Sequence, residues 1–294
     1  EKGYTYVVDL DLERFFDTVS HSKLIEILSR SIKDGRVISL IHKYLRSGVM
    51  NHGGFEMNEV GTPQGGPLSP LLSNIMLNEL DKELEHRGHP FVRYADDAMI
   101  FCKSKRAAMR VKATITRFIE SKLHLKVNKE KTVVSYVRGV KYLGYSFYVQ
   151  KGKCKLTVHP KSKMKMKARL KLLTSRSNGW GYAKRKQKLK EYIRGWIGYY
   201  HLAEMRHLLV KIDEWLRRRI RMCIWKAWKK VKTKVTNLIK CGINNGKAYE
   251  WGNTRKGFWR IADSFILHRA ITKENLRKAG YVTLMGEYLE WHPK

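Results

Sequence analysis

The chain has 294 residues, of which 60 are Lys or Arg and 26 are Asp or Glu, giving a formal charge of +34 at pH 7. A hydrophobic content of 43% with eight Trp excludes a disordered polycation, and no apolar run approaches the roughly 18 residues that a membrane span needs. The scattered cysteines exclude a zinc ribbon and argue against a disulfide framework, so we expect a reducing cytoplasm; they are Cys102, Cys154, Cys223 and Cys241.

The positive charge is concentrated in the second half of the chain. Residues 1–150 hold 23 basic and 17 acidic side chains, whereas residues 151–294 hold 37 basic and 9 acidic ones. A folded, aromatic-rich domain with this excess is typical of proteins that bind a polyanion, and it favours nucleic acid over a membrane surface. The chain also begins at Glu1 without an initiator Met, a few residues before a strong strand, so we expect it to be a fragment.

The first predicted element is a buried strand from Tyr4 to Leu12 that carries two acidic residues. β-Branched and aromatic residues dominate this segment. Asp9 and Asp11 are two residues apart, so both project from one face of the strand. Because burying an unpaired carboxylate is costly, we expect that one of them caps the following helix or that one or both bind a cation.

Helical spacing follows over residues 21–50, and a break at Asp34-Gly35 predicts a pair of helices packed on the sheet. His21 and His42 have no partner at ligand spacing, and we interpret them as surface or capping residues. A hairpin is expected over the polar, glycine-containing residues 51–60.

Residues 61–70 combine three glycines with three prolines. This composition predicts a rigid loop over which a ligand's backbone can pass closely. Gln64 is its one long polar side chain. A plain turn followed by a helix cap is the alternative interpretation, and in both cases a helix is expected to start at Ser69.

The stretch from Arg93 to Phe101 predicts two short strands joined by a tight turn at Asp96-Asp97. Two carboxylates about 4 Å apart repel each other by about 4 kcal/mol at an effective dielectric of 20. A fold that crowds them usually holds a cation, and ligation by oxygen alone suits Mg²⁺. Taken by itself, however, an Asp-Asp pair is ordinary turn chemistry.

The rest of the first half predicts one more helix and one more clear strand. The helix covers residues 107–123, and the strand covers residues 140–149 with Gly144 inside it, which suggests close approach by another backbone. Together these elements predict an α+β domain with a mainly antiparallel sheet and packed helices.

Three amphipathic helices are predicted in the basic half, at residues 161–176, 183–204 and 208–231, and they fit a small all-α bundle. Trp215, Trp225 and Trp228 are interpreted as core residues of these helices. The third helix is expected to present a basic face to a polyanion, although a charge run is usually only a solvated face. The basic residues are Arg217, Arg218, Arg221, Lys229 and Lys230.

Six blocks of the first half occur in the order and spacing of reverse transcriptase motifs. The basic half adds the stretch Arg194-Gly195-Trp196-Ile197-Gly198-Tyr199-Tyr200. The chain therefore resembles the reverse transcriptase-maturases encoded by bacterial group II introns, over nearly its whole length. The six blocks are Val8-Asp9-Leu10-Asp11, Phe15-Phe16-Asp17, Pro63-Gln64-Gly65-Gly66, Tyr94-Ala95-Asp96-Asp97, Lys131-Thr132 and Tyr142-Leu143-Gly144-Tyr145.

The resemblance implies a polymerase palm in which three Asp residues hold two Mg²⁺ ions. Carried over to this sequence, the three are Asp11, Asp96 and Asp97, with Asp9 the weaker candidate on the same strand face. One ion would activate the primer 3′ hydroxyl, and the other would neutralise the triphosphate.

The resemblance also implies roles for five further residues. Phe16 would lie under the sugar and select deoxynucleotides, with a plain core Phe as the competing interpretation. Gln64 would touch the incoming nucleotide, and Lys131 would lie near its triphosphate. Leu143 and Gly144 would belong to the primer grip.

The implied organisation is a palm with partial fingers at residues 1–155, a thumb or maturase bundle at 156–240, and a DNA-binding-like module at 241–294 with a final helix near residues 272–279. The implied partners are group II intron RNA, a DNA primer or target and dNTPs. Further fingers motifs are missing before Tyr4, and no endonuclease motif is found. A non-catalytic RNA-binding splicing factor, or a retron or defence reverse transcriptase, remains as an alternative.

Overall fold

The computed structural model describes residues 2–47, 49–51, 54–56, 60–62, 66–138 and 140–293. The chain divides into two compact units, residues 1–140 and residues 141–294. The division lies upstream of the boundary expected at 155, because the hairpin that follows Lys141 packs with the helical unit.

The first unit mixes helices with antiparallel strands. In chain order its elements are β1 (Tyr6–Leu10), α1 (Phe15–Thr18), α2 (His21–Ser31), α3 (Gly35–Arg46), β2 (Val49–Asn51), β3 (Gly54–Glu56), α4 (Ser69–His86), β4 (Phe91–Tyr94), β5 (Asp97–Cys102), α5 (Lys105–Lys122) and β6 (Val133–Tyr136).

The main sheet has the strand order β4-β5-β1-β6, and each neighbouring pair is antiparallel. Successive side chains point to opposite faces of a strand. One face carries Val8, Leu10, Ala98 and Ile100 into a buried core that helices α2, α4 and α5 complete. The predicted antiparallel α+β domain is confirmed. The hairpin expected over residues 51–60 begins earlier, because β2 (Val49–Asn51) pairs with β3 (Gly54–Glu56).

Polar caps set the helix boundaries of this unit. Asp34 separates the two paired helices and begins the second, because its carboxylate Oδ1 accepts the backbone N–H of Arg36 at 2.8 Å. Ser104 does the same for α5 by accepting the N–H of Ala107 at 3.2 Å. Such caps satisfy backbone donors that have no partner within the helix.

The second unit contains one hairpin followed by helices. Its elements are β7 (Tyr145–Gln150), β8 (Lys153–Val158), α6 (Pro160–Leu173), α7 (Tyr182–Tyr200), α8 (Arg206–Ala227), α9 (Val231–Lys240), α10 (Asn245–Gly252), α11 (Phe258–Ile261), α12 (Phe265–Ala270), α13 (Lys273–Lys278) and α14 (Leu284–Trp291).

The apolar stripes of α6, α7 and α8 meet in one core that also takes in the C-terminal helices. Trp225 and Trp228 are 2% and 8% exposed, which confirms their predicted core position. Helix α8 ends four residues before the predicted limit of Val231, because Trp228 leaves the helical backbone conformation and Lys230 begins the next helix. The helix expected near residues 272–279 is present as α13, but it is not the final one. The strand β8 and the helices α9, α10, α11, α12 and α14 were not predicted.

Within the described residues, no helix combines the length and the apolar character needed to cross a lipid bilayer.

Candidate active site

Strand register brings Asp11 and Asp97 to the same end of the sheet. The antiparallel pairing of β1 with β5 ends at Leu10 opposite Ala98. Asp11 follows the last residue of β1, and Asp97 is the first residue of β5, so continuing the register sets one opposite the other. Opposed residues of antiparallel strands share a face, with Cα atoms about 4.5–5.5 Å apart. This face is the one opposite the buried core, and the Asp11 side chain is 34% exposed.

Asp96 lies in the turn that joins β4 to β5. Tyr94 pairs with Asp97, which leaves Ala95 and Asp96 as a two-residue turn. Ala95 adopts φ 54°, in the left-handed region that residues with a Cβ rarely occupy. Such strain costs of the order of 1–3 kcal/mol and persists only where the surroundings hold it. The predicted hairpin with Asp96-Asp97 at its tip is therefore confirmed.

Arg93 holds this turn, and sequence reasoning assigned it no role. Its Nη1 donates to the carbonyl oxygen of Ala95 at 2.8 Å and to Asn74 Oδ1 at 3.0 Å. Its Nε donates to Asp81 Oδ1 at 2.8 Å, and Nη2 bonds the second oxygen of the same carboxylate. The Arg93 side chain is only 12% exposed. Helix α4 is thus tied to the strained residue next to Asp96.

The segment before β6 supports Asp11 from the other side. The buried Thr132 hydroxyl lies 3.2 Å from the Asp11 backbone N and 3.3 Å from its carbonyl oxygen, which also accepts the N–H of Asn128 at 2.9 Å. Lys131 Nζ lies 3.6 Å from Asp11 Oδ2. The predicted nucleotide-binding lysine therefore stands beside the predicted catalytic carboxylate.

The carboxylate oxygens of Asp11, Asp96 and Asp97 are the donor type that Mg²⁺ prefers in proteins. The strand register and the turn place their backbones at one end of the sheet. Within the described residues, however, no three Asp, Glu, His or Cys side chains converge as a metal-ligand group. Lys131 instead supplies the positive charge facing Asp11. Asp9 lies farther inside the sheet, opposite Met99 on β5 and Val133 on β6.

The predicted loop over residues 61–70 begins against Phe16. Thr62 N–H donates to the Phe16 carbonyl oxygen at 2.6 Å. Gly61 has φ +94°, and a Cβ there would lie 2.8 Å from that same oxygen, so only glycine fits. The Phe16 ring is half-buried and meets Phe15 edge-to-face at 5.4 Å. Gln64 lies outside the described residues.

His21 was expected to be a surface or capping residue, and its placement at the surface is wrong. It is 8% exposed, and its Nε2 lies 2.6 Å from the carbonyl oxygen of Gly61. The contact joins residues 40 positions apart, so no local pattern could reveal it. His21 thus fixes the start of the loop to the helix that follows Phe16.

Leu143 and Gly144 lie in a turn, and their predicted strand position is wrong. Tyr142 and Tyr145 bond each other's backbone across the turn, at 2.9 and 3.1 Å, and the strand β7 begins only at Tyr145. Leu143 and Gly144 have φ 49° and φ 83°. The Tyr199 hydroxyl donates to the Leu143 carbonyl oxygen at 2.9 Å. The close approach predicted at Gly144 exists, but the Tyr200 side chain makes it and not another backbone.

The predicted basic face of α8 is only partly exposed. Arg221 is 5% exposed and donates from Nε to the Ile271 carbonyl oxygen at 2.9 Å, so its expected place on an exposed basic face is wrong. Arg218 pairs with Asp263 at 2.9 Å. Arg217 is half-buried, and Lys229 and Lys230 are exposed beyond the end of the helix. Burial and the nearby Arg217 lower the pKa of Arg221.

Two family models match the chain. Residues 1–147 match the model described as reverse transcriptase (RNA-dependent DNA polymerase). Residues 163–242 match the model described as group II intron, maturase-specific domain. The first match contains Asp11 and Asp97, and the second contains helices α7 and α8.

Similar curated proteins include Protein YkfC of Escherichia coli, 31% identical over 175 residues that cover 48% of this chain and 46% of that protein. The group II intron-encoded protein LtrA of Lactococcus lactis is 27% identical over 214 residues, 51% of this chain and 36% of LtrA. The chain therefore spans less than half the length of these relatives.

Among solved structures, apo telomerase from Candida tropicalis covers 94% of this chain and 51% of its own, at 14% identity and a TM-score of 0.43. The two family models and the LtrA match lead to one assignment. The chain belongs to the reverse transcriptase family, as a group II intron reverse transcriptase/maturase.

Proposed function

We propose that the chain carries the catalytic palm of an RNA-directed DNA polymerase that copies group II intron RNA from a DNA primer with dNTPs. Its basic unit would bind the same RNA to promote splicing and retrohoming in the bacterial cytoplasm. The observation that supports the polymerase most directly is the strand register that sets Asp11 beside Asp97, one residue from the Asp96 turn.

Reverse transcriptases use divalent metal ions, and we propose that Asp11, Asp96 and Asp97 hold two Mg²⁺. When bound, such ions lower the pKa of the attacking hydroxyl and neutralise charge on the triphosphate and leaving group. The chain's own contribution is rigidity. Arg93 fixes the turn that carries Asp96, and Thr132 fixes the backbone of Asp11.

The remaining predicted residues have roles that their positions support to different degrees. Lys131, 70% exposed and 3.6 Å from Asp11, would release that carboxylate and bind a triphosphate oxygen. Phe16 would stand against the 2′ position of the sugar, held by its backbone bond to Thr62. Gln64 would contact the nucleotide, and Leu143-Gly144 would contribute to the primer grip.

Primer extension on an RNA template, with Mg²⁺ and dNTPs, tests the polymerase. We expect Asp96→Asn and Asp97→Asn each to lower the rate by at least about a thousandfold, since each removes the charge of a proposed metal ligand. Glu85→Gln, on the exposed side of α4, serves as the control that removes a carboxylate elsewhere. Unchanged synthesis by the Asp variants would contradict the assignment.

A non-catalytic splicing maturase on a polymerase scaffold is the second candidate. Two observations favour it: no three-carboxylate group forms in the described part of the chain, and Asp11 is paired with Lys131. Tight, salt-sensitive binding to intron RNA without any dNTP incorporation by the parent chain would support this candidate over the polymerase.

A further inference from the structure

The second unit contains an open cleft of about 340 Å³ at the junction of α6, α8 and α11. This volume is in the range that small-molecule and cofactor sites occupy, about 300–1,000 Å³. Sequence reasoning assigned no role to the residues that form it. They are Ser175, Arg176, Ser177, Arg219, Met222 and Trp259.

Trp259 supplies an aromatic surface to the cleft. It is 38% exposed and is not part of the buried core of the second unit. The Arg218 guanidinium lies 3.9 Å from the centre of its ring, and Arg218 Nη2 donates to the Trp259 carbonyl oxygen at 3.0 Å. Arg218 is not among the residues that line the cleft. An exposed indole that is fixed in this way can stack on a planar ligand at little cost in side-chain entropy.

The cleft is cationic. Arg176 and Arg219 line it, and the described residues that line it include no Asp or Glu. Arg219 is anchored by bonds from Nε to the Thr174 hydroxyl at 2.6 Å and from Nη2 to the Lys171 carbonyl oxygen at 3.0 Å. Arg176 is exposed, and its guanidinium lies 5.3 Å from the centre of the Phe258 ring. Asp263, the nearby carboxylate, pairs with Arg218 outside the lining.

An exposed aromatic ring beside arginines is the combination with which proteins bind single-stranded nucleic acid, because bases stack on the ring while cations contact phosphates. We propose that this cleft takes one unpaired nucleotide of a single strand, with its base against Trp259 and its phosphate on Arg176. The proposal rests on the proposed nucleic-acid function of the chain and adds to it a specific site. RNA and single-stranded DNA share this chemistry, so both are tested.

The test measures the affinity of the full chain for labelled oligonucleotides of about 12 nucleotides by fluorescence anisotropy, over a range of salt concentrations. The ligands are an unstructured RNA, the DNA of the same sequence, and the duplex DNA. We expect Trp259→Ala to weaken binding of a single strand about tenfold at every salt concentration, because stacking contributes little to the salt slope. Trp259→Phe should recover part of this affinity, and duplex binding should be unchanged.

Two further variants locate the effect. Arg176→Ala should lower the magnitude of the salt slope by about 0.7, as expected when one phosphate of a single strand is no longer neutralised. Trp291→Ala removes another exposed tryptophan of this unit, 54% exposed and outside the cleft, and should leave the affinity within about twofold. Thermal unfolding of each variant checks that the fold is retained.

Trp259→Ala should lose more affinity for one of the two single strands, RNA or DNA. That strand is the one that supplies the nucleotide bound in the cleft. If the parent chain binds both single strands and Trp259→Ala binds each of them as tightly as the parent does, the cleft proposal is overturned while the proposed function stands. Equal decreases in affinity in Trp259→Ala and Trp291→Ala would also overturn it. A parent chain that binds no nucleic acid would overturn both proposals.

Discussion

Gly144 lies directly against the Tyr200 side chain: a Cβ built on Gly144 would collide with the Tyr200 hydroxyl and lie 3.1 Å from its Cζ atom. Gly144 also has φ +83°, and its carbonyl oxygen accepts the Ser162 hydroxyl at 3.1 Å. The Tyr145 ring also packs on Tyr200, with its ring centre 5.2 Å from that of Tyr200. Two sequence blocks that each carry a family resemblance thus form one contact.

This contact predicts that Gly144→Ala destabilises the second unit by about 2–4 kcal/mol, the sum of positive-φ strain and overpacking against Tyr200. Tyr200→Phe removes the colliding oxygen, so the double variant should recover part of this stability. Urea unfolding of the four members of this cycle gives the coupling between the two positions. Gly179→Ala, at φ +69° with open space around it, is the control for strain alone. Equal effects at Gly144 and Gly179 would contradict the role of Tyr200.

The position of Arg93 predicts a slower catalytic step even where the positive charge is kept. Lysine in place of Arg93 keeps a cation beside Asp81 but has a single nitrogen, so it cannot bond both that carboxylate and the Ala95 carbonyl oxygen in the same geometry. We expect Arg93→Lys to lower kcat for single-nucleotide incorporation about tenfold to a hundredfold, because a displaced Asp96 would lower the rate of the chemical step by about this factor.

Arg30→Lys is the matched control for this prediction. Arg30 pairs at 2.8 Å with Glu79, which lies on α4 as Asp81 does, but the Arg30 side chain is 51% exposed. Its replacement should leave kcat within about twofold, since exposed ion pairs contribute little. A similar decrease of kcat in both variants would mean that general weakening of α4, and not the turn, is responsible.

Local pattern predicted the elements of the fold better than it predicted the contacts of the site. The helix break at Asp34 and the hairpin at Asp96 were predictable, because capping and turn preferences act over a few residues. The Val140–Val149 strand was misplaced at its start, because strand propensity cannot reveal that Tyr199 and Tyr200 hold the preceding turn.

Long-range contacts account for the other differences. His21 reaches Gly61 across 40 residues, and Arg221 reaches Ile271 across 50. Arg221 lies on the same helix as Arg217 and Arg218, so composition alone cannot separate a basic residue that is buried from one that is solvated. Whether a basic residue of α8 is buried depends on which short C-terminal helix packs on its part of α8. The sequence pattern does not predict that packing.

Asp213 predicts a pH dependence of stability. It is 4% exposed and accepts the backbone N–H groups of Leu284 and Met285 at 2.9 and 3.0 Å. Burial raises the pKa of Asp213 above its ordinary 3.8, although those two bonds oppose the shift. Because the folded state then binds the proton more tightly than the unfolded state, this contribution to stability falls as pH rises from about 4 through the raised pKa.

We expect Asp213→Asn to remove this contribution, so that the stability difference between the parent and the variant decreases from about pH 4 to pH 7. Asparagine offers one acceptor oxygen where the ionised carboxylate offers two, so the variant should also be less stable by about 1–3 kcal/mol once Asp213 is ionised. Urea unfolding across this range measures both effects. Glu214→Gln, one residue along and exposed, is the control that removes a carboxylate outside the buried site. A rising difference in Asp213→Asn would contradict the raised pKa.

The last prediction separates basic residues that bind nucleic acid from basic residues that hold the fold. Lys229 and Lys230 are exposed at the junction of α8 and α9, whereas Arg221 is buried against Ile271. Replacing both lysines by Ala should leave unfolding unchanged and lower the magnitude of the salt slope for RNA binding, by about 0.7–0.9 for each phosphate that a lysine had neutralised.

Arg221→Ala should behave in the opposite way. It leaves the Ile271 carbonyl oxygen without its buried donor, so we expect the stability to fall by about 1–3 kcal/mol. At temperatures where the variant remains folded, its salt slope should match that of the parent, because a side chain 5% exposed makes no contact with a phosphate. A salt slope lowered in Arg221→Ala but not in the lysine variant would reverse the assignment and place the nucleic acid over the C-terminal half of α8.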